Sequence, residues 1–538
     1  MKIRFYNARI MAMQDGVSIQ KGELWTKDDR ILYVGSDKDP EEESFDREID
    51  CENNLLMPGF KNAHTHSAMT FLRSFADDLP LQEWLYNRVF PMEAKLTKED
   101  QVELAKLGMM EYLTSGITAN FDMYLNNTCH AKASTELGFR TVLCGSMNDF
   151  GGTVPETEEE YYRLNDYSPL VSYKLGFHAE YTTKRALMEE LAQLAGKMKE
   201  PVYLHLAETE KEVNECKERY GMSPVKFLDS IGMFEYGGGG FHGVWMDEED
   251  MDICVAKKVS IVSNPSSNVK LASGIADLCT MSEKGINLAL GTDGPASNNA
   301  LDMFREMYLA ATLQKVVKKD ASAMDASLVL QMATTGGAKA MGLDECDVLA
   351  PGKKADLIMI NMHRPNMQPE NNIAKNIVYS GSKENIKMTM IDGKILYEDG
   401  QFFLPEDPED IYKKANKIIQ RMSQKDSNCS ISCSHCSIVS VRAASFSSFS
   451  RLSSVSRPTL VAFSGRAISS SMFSMSCSSA AMVSSACLAA FSTLRFLASS
   501  SFCAFQSVLE EVSALPEGTG VAVSSWIWID STVSFFSR

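Results

Sequence analysis

The chain runs to 538 residues, 44% hydrophobic and 23% charged, with a formal net charge of −17. That length exceeds one compact core, so two or more units are expected. The acidic balance argues against nucleic-acid wrapping or docking on anionic membranes and leaves small-molecule substrates open. No run of about 20 apolar residues predicts a transmembrane helix. The opening MKIRFYNARIMAM alternates like a strand, where a secretory signal would pair a basic start with an apolar block.

Residues 1–58 read as short strands and turns: KIRFYNARIMAM, GELWTKDDRILYVG and REIDCENNLLMPGF. Residues 347–405 read alike, with DGK turning a hairpin between MTMI and ILYE. The two pieces predict one small β domain, a composite sandwich built from both ends of the chain. Between them, residues 59–346 alternate apolar runs with amphipathic helices in units of about 25–40 residues, which predicts a parallel sheet and, foremost, a closed (β/α)8 barrel. A C-terminal helix is expected over 406–428.

The composition breaks near Asn428. Residues 429–538 contain no lysine, crowd serine into every window, and hold six of the thirteen cysteines. Six arginines against four acids leave this stretch at +2. Phe, Leu and Cys recur there without a 2.0 or 3.6 period. Reading helix-coding DNA on the wrong strand gives this bias, so the Ser-rich tail is expected to be disordered or an artefact, a frame or gene-model error or a fused antisense reading, and its deletion is expected to leave soluble, active protein. CSISCSHC (Cys429, Cys433, His435, Cys436) lacks the flanks of a metal knuckle. The other seven cysteines are scattered without paired spacing, as in a reducing cytoplasm.

Polar residues gather just after the apolar runs of the middle segment, where such barrels carry their sites. In GFKNAHTHSAMT, His64 and His66 stand two apart. On an extended strand they share a face, about 6.5–7 Å apart, and can share one ion at about 2.0–2.1 Å. YKLGFH ends in His178, VYLHLAE carries His205 and Glu208, GGFH ends in His242, and LALGTD ends in Asp293. Five of the eight histidines thus terminate predicted strands. YGGGGFH lacks a phosphate-loop pattern, and EEES and ETEEEYY read as solvated faces.

PGFKNAHTHSAMTFLR, HLAETEKEV, GFHGV and NPSSNVKLASGIADL…INLALGTDGPASNN resemble the amidohydrolase superfamily over residues 1–425. Within it they are similar to the cytosine/adenosine deaminase-related branch, near the methylthioadenosine/S-adenosylhomocysteine deaminases and the triazine chlorohydrolases. The resemblance implies one divalent ion, usually zinc or iron, held by His64, His66, His205 and Asp293. It implies hydrolytic release of ammonia from a 6-aminopurine nucleoside by an ion-activated water. Glu208 would protonate the ring, and His242 and Asp293 would orient the water and take its proton. Glu93 would bind ribose hydroxyls, His178 would contact the nucleoside, and Trp84 would cover the base.

Relatives with two metals use a lysine at the fourth strand's end, whereas Lys174 lies about 13 Å deeper than His178, so one metal is expected. The arginine that methylthioadenosine deaminases carry after the third strand has no counterpart in CGSMNDFGGTVPETEEEYYRLND; Arg163 comes late, and Asn148 or Asp149 stands near that place. Two alternatives remain. One is hydrolysis of another N-heterocycle, such as guanine deamination or chlorotriazine dechlorination. The other is a metal-free scaffold, which need not keep the ligands. The expected partner is a small molecule in the cytoplasm, without nucleic acid or membrane, and a homo-oligomer stays open.

Overall fold

The computed structural model describes residues 1–38, 43–79 and 81–427. The composition break at Asn428 and the CSISCSHC cluster lie outside them.

The N-terminal piece contributes strands β1 (Lys2–Ile10), β2 (Gln20–Lys27), β3 (Arg30–Gly35), β4 (Arg47–Asp50) and β5 (Leu55–Pro58). The middle contributes β6 (Phe60–Thr65), β7 (Ile117–Met123), β8 (Arg140–Cys144), β9 (Val171–Ala179), β10 (Val202–Leu206), β11 (Gly238–His242), β12 (Val259–Ser263) and β13 (Leu288–Leu290). The C-terminal piece adds β14 (Leu357–Ile360), β15 (Ile386–Ile391), β16 (Lys394–Glu398) and β17 (Gln401–Phe402).

Strands β6 to β13 form one eight-stranded sheet in sequence order, every registered pair parallel. β6, β7, β8, β10, β11, β12 and β13 are buried along their whole length, as a sheet covered on both faces requires. The seam between first and last strands is closed by the Asp293 amide donating to the His64 carbonyl at 3.0 Å. Side chains finish it: the Asn62 amide donates to Thr292 Oγ1 at 2.7 Å, and the Thr292 amide donates to Asn62 Oδ1 at 2.8 Å. Ala63, Phe121, Val142, Tyr203, Phe241 and Ala289 fill the barrel interior, and Met341 plugs it. A larger apolar layer lies between strands and helices. In β11 the missing side chain of Gly240 matters, because a Cβ there would lie 2.9 Å from that of Leu206 on the neighbouring strand.

The remaining nine strands make one mixed sheet, ordered β17-β16-β15-β14-β5-β1-β2-β3 with β4 beside β1. It curls so that Ile31 and Ala355 bond to the Lys353 and Asp29 carbonyls, enclosing a core of Ile3, Phe5, Leu24, Leu357, Met388 and Met390. The expected sandwich is thus a single sheet folded over on itself. Arg140 on β8 pins it to the barrel through a two-pronged pair with Asp356 at 2.6 and 3.1 Å. Helix Pro408–Ser427 lies against helix Lys98–Thr114, tied by Arg421 to Asp100 and by Lys414 to Glu103 at 3.2 Å. Among the described residues no helix is long and apolar enough to cross a membrane.

Candidate metal and active site

The strand ends converge because local backbone features aim them. On β6 the register against β7 slips between Asn62 and Thr65. That slip inserts one residue after inward-facing Ala63 and turns His64 and His66 into the barrel mouth. His64 stacks on Phe241 with ring centroids 3.9 Å apart. His242 and Asp293 take left-handed backbone at φ +81° and +57°, a strain that non-glycine residues carry chiefly at functional sites.

Four side chains present lone pairs to one another. His66 Nδ1 faces the Met123 carbonyl, and His205 Nδ1 faces the His178 carbonyl at 2.8 Å. Carbonyls only accept, so both Nδ1 atoms carry the proton and both Nε2 atoms are bare. Those two Nε2 atoms stand 3.4 Å apart. Asp293 Oδ1 lies 3.2 Å from His66 Nε2 and 3.5 Å from His64 Nε2. His64 is fully buried, and among the described residues neither of its ring nitrogens has a hydrogen-bond partner. Ligand atoms of His64, His66 and Asp293 lie within 4.8 Å of one another, as do those of His64, His205 and His242.

Facing lone pairs and an orphaned buried imidazole are costly unless a cation sits among them. Two nitrogens about 2.05 Å from one ion at a tetrahedral angle would be about 3.3 Å apart, close to the separation seen. Backbone carbonyls on the far ring nitrogens are the usual outer partners of metal-binding histidines. The residues fit a divalent cation.

Charge states agree. Burial pushes His64 down to about 3 and His178 down to about 4. Burial, then the neighbouring histidines, holds His205 well below its ordinary range. For His66 burial acts the same way, but the Asp293 carboxylate outweighs it and raises the value. Positive charge is wanted at that point, and a cation supplies it without the proton.

Around this cluster stand the candidate proton-transfer groups. His242 Nδ1 bonds Asn268 Oδ1 at 2.7 Å, which leaves Nε2 as an acceptor, 3.9 Å from Glu208 Oε2. Burial raises the Glu208 carboxyl above its usual range, and Ser273 donates to it at 3.3 Å. Asp293 Oδ2 accepts the hydroxyls of Ser267 and Ser297 at 2.6 and 2.8 Å, and Oδ1 accepts the Gly294 amide at 2.8 Å.

A cleft of about 920 Å³, open mouth included, is lined by His66, His205, Glu208, His242 and Asp293 at one end and by Trp84, Glu93 and His178 farther along. Glu93 is buried, raised by that burial, and accepts the Tyr124 hydroxyl at 2.7 Å. His178 Nδ1 donates to Thr182 Oγ1 at 2.9 Å. The hydroxyl of Thr182 is committed to the Ala179 carbonyl, so His178 presents Nε2 as an acceptor. Trp84 is buried, at the end of the short helix Leu81–Trp84. Asn148 reaches the cleft, whereas Asp149 caps the Lys184 amide. Lys174 approaches Gly342 rather than the cluster, and Arg163 lies on helix Val154–Asn165 outside this cleft.

Sequence reading missed the supports. Asn268, Ser267, Ser297, Thr182 and Tyr124 hold the residues named above, and Glu212 accepts the amides of Ala207 and Glu208 at 2.8 Å each. Glu306 spans the Ser266 amide and Asn298 at 2.9 and 2.8 Å. NPSSN, at the end of a predicted strand, was the signal available for Ser267 and Asn268; the others sit where no spacing rule points.

The sequence model of the Amidohydrolase family matches residues 55–396. A 5-methylthioadenosine/S-adenosylhomocysteine deaminase of Syntrophomonas wolfei is 39% identical over 436 residues, covering 79% of this chain and 100% of the relative. A 5'-deoxyadenosine deaminase of Methanothermobacter thermautotrophicus is 38% identical over 402 residues, 73% of this chain and 93% of the relative. Among solved structures, an adenosine deaminase from Xanthomonas campestris with bound zinc superposes with a TM-score of 0.74 at 30% identity, covering 79% and 98% of the two chains.

Proposed function

This chain belongs to the amidohydrolase family, and we propose that it is a metal-dependent aminohydrolase that releases ammonia from 6-aminopurine nucleosides of the adenosine, 5'-deoxyadenosine, 5-methylthioadenosine or S-adenosylhomocysteine kind. The observation that carries this reading is the set of bare lone pairs of His66, His205 and Asp293 around buried His64, beside a buried protonatable Glu208. The deaminase names of the relatives and the zinc of the Xanthomonas campestris structure support it.

His64, His66, His205 and Asp293 would hold one divalent ion, zinc by preference. When bound, that ion supplies the Lewis acidity that makes water nucleophilic near neutral pH. Glu208, its carboxyl raised above the usual range by burial, donates a proton to a purine ring nitrogen as water adds to the amino-bearing carbon. His242, its Nδ1–H fixed on Asn268, turns Nε2 toward that water as an acceptor. Asp293, held by two serine hydroxyls and the Gly294 amide, orients the water and passes its proton toward the departing amine. Glu93 takes the ribose hydroxyls, His178 accepts a hydrogen bond from the nucleoside, and Trp84 covers the base. The seven cysteines among the described residues are all free thiols, which supports a cytoplasmic setting.

A substrate panel tests the reading. Purified protein should release ammonia from 5'-deoxyadenosine, 5-methylthioadenosine and adenosine. Chloride release from a chlorotriazine, or turnover of guanine alone, would replace it.

A further inference from the structure

Glu306 is fully buried in the first turn of helix Met303–Lys318, and each of its carboxylate oxygens accepts from an amide. Oε2 accepts the Ser266 backbone amide at 2.9 Å, and Oε1 accepts the Asn298 side-chain amide at 2.8 Å. The two donors stand on separate segments, one after β12 and one after β13. In each segment the adjacent residue is a serine. Both serines, Ser267 and Ser297, donate to the same oxygen, Oδ2 of Asp293, at 2.6 and 2.8 Å. One buried carboxylate thus ties together the two segments that hold another.

No neighbouring side chain does the same work. Ser266 lies in the first turn of the short helix Pro265–Lys270, whose flanking Asn264 makes no side-chain capping bond. Glu306 supplies the acceptor that such a cap would otherwise offer the free amide. Asn298 also donates to the Thr292 carbonyl at 2.7 Å, one peptide before Asp293. The same helix carries Asn268, which fixes His242 through Nδ1. With Oδ2 held by two hydroxyls, the plane of the Asp293 carboxylate is set, and Oδ1 faces His66 and His64 at 3.2 and 3.5 Å. Rotation of that carboxylate would carry Oδ1 away from the point the imidazoles share. An apolar side chain would fill the Glu306 position with a smaller desolvation penalty, so the carboxylate there is explained by the amides it joins.

We infer that Glu306 is a positioning residue for Asp293: by clamping the segments after β12 and β13 it keeps Ser267 and Ser297 on Oδ2 and so sets the affinity of the site for its divalent ion. The inference rests on the metal site proposed above and involves no group of the substrate.

Glu306→Gln keeps the side chain's volume but offers one acceptor oxygen to two donors. Zinc affinity of the chelator-stripped full-length protein, read by competition with a chromophoric chelator, should fall about ten- to hundredfold in this variant, with the circular-dichroism spectrum of the parent. Ser267→Ala/Ser297→Ala should lose a comparable factor. Adding Glu306→Gln to that double variant should then change affinity by no more than about twofold, because the route from Glu306 to Asp293 is already cut. A Glu306 that only supports packing would multiply the two losses. That result, or the parent's affinity in Glu306→Gln, would overturn the inference. Should Glu306→Gln not fold, Asn298→Ala cuts one arm of the clamp and gives the same comparison against Ser297→Ala. A parent protein that binds no zinc would remove the metal site itself, whereas an inert Glu306 beside a tight zinc site would sink this inference alone.

Discussion

Asn62 and Thr292 bind each other twice across the barrel seam, amide to hydroxyl at 2.7 Å and backbone amide to carboxamide oxygen at 2.8 Å. His64 lies two residues beyond one partner and Asp293 one residue beyond the other, so this seam sets the spacing of two proposed ligands. Asn62→Ala strands the buried Thr292 amide and should cost about 2–3 kcal/mol in urea unfolding. It should also weaken metal binding about tenfold or more, read by competition with a chromophoric chelator. Unchanged metal affinity with lost stability would make the seam a packing feature only.

Glu208 is proposed as a proton donor, and its burial raises it above the ordinary carboxyl range. A donor works below its pKa in the folded enzyme and fails above it, so kcat/KM should decline as pH rises through that value. Glu208→Gln should lower kcat by about 10²–10⁴ and remove that limb of the profile, with bound metal unchanged. A variant that keeps kcat and the same pH dependence would relieve Glu208 of the role.

Glu93 is argued to hold the sugar, with Tyr124 fixing its orientation. Glu93→Ala should raise KM for a nucleoside by about tenfold, the loss of roughly one charge-assisted hydrogen bond, with kcat changed far less. An equal fall in kcat instead would place Glu93 in the chemistry.

The Arg140–Asp356 pair joins barrel and curled sheet. Burial opposes the Asp356 charge, but Arg140 overcomes it and holds the carboxyl below its usual range. Its contribution is therefore present above the unfolded value of about 3.9 and lost as pH falls through the lower folded one. Asp356→Asn should cost about 3–5 kcal/mol at pH 7, and the difference from the parent should shrink toward pH 3. A constant difference across that range would rule out the charge as the cause.

Much of this was legible in the chain because two signals are local. Apolar runs alternating with amphipathic helices gave the parallel barrel, and the two strand-rich ends gave the second sheet. Clustered histidines at strand ends gave the candidate ligands, since each strand delivers its last inward residue to the same rim. What stayed hidden depends on distant pairings. The slip on β6 that turns both His64 and His66 inward exists only against β7. The hydroxyls of Ser267 and Ser297 meet Asp293 only once the loops after β12 and β13 fold together. Glu212 and Glu306 look like ordinary helix-surface acids in the sequence, yet both are buried and bind backbone amides.

Zinc titration of chelator-stripped protein, followed by ammonia release from 5'-deoxyadenosine, tests the central claim most directly. Turnover should be negligible at the start, rise linearly and break at one equivalent per chain, and His205→Ala should show no such rise. Full turnover by the stripped protein, or a break at two equivalents, would contradict a single catalytic ion gripped by His64, His66, His205 and Asp293.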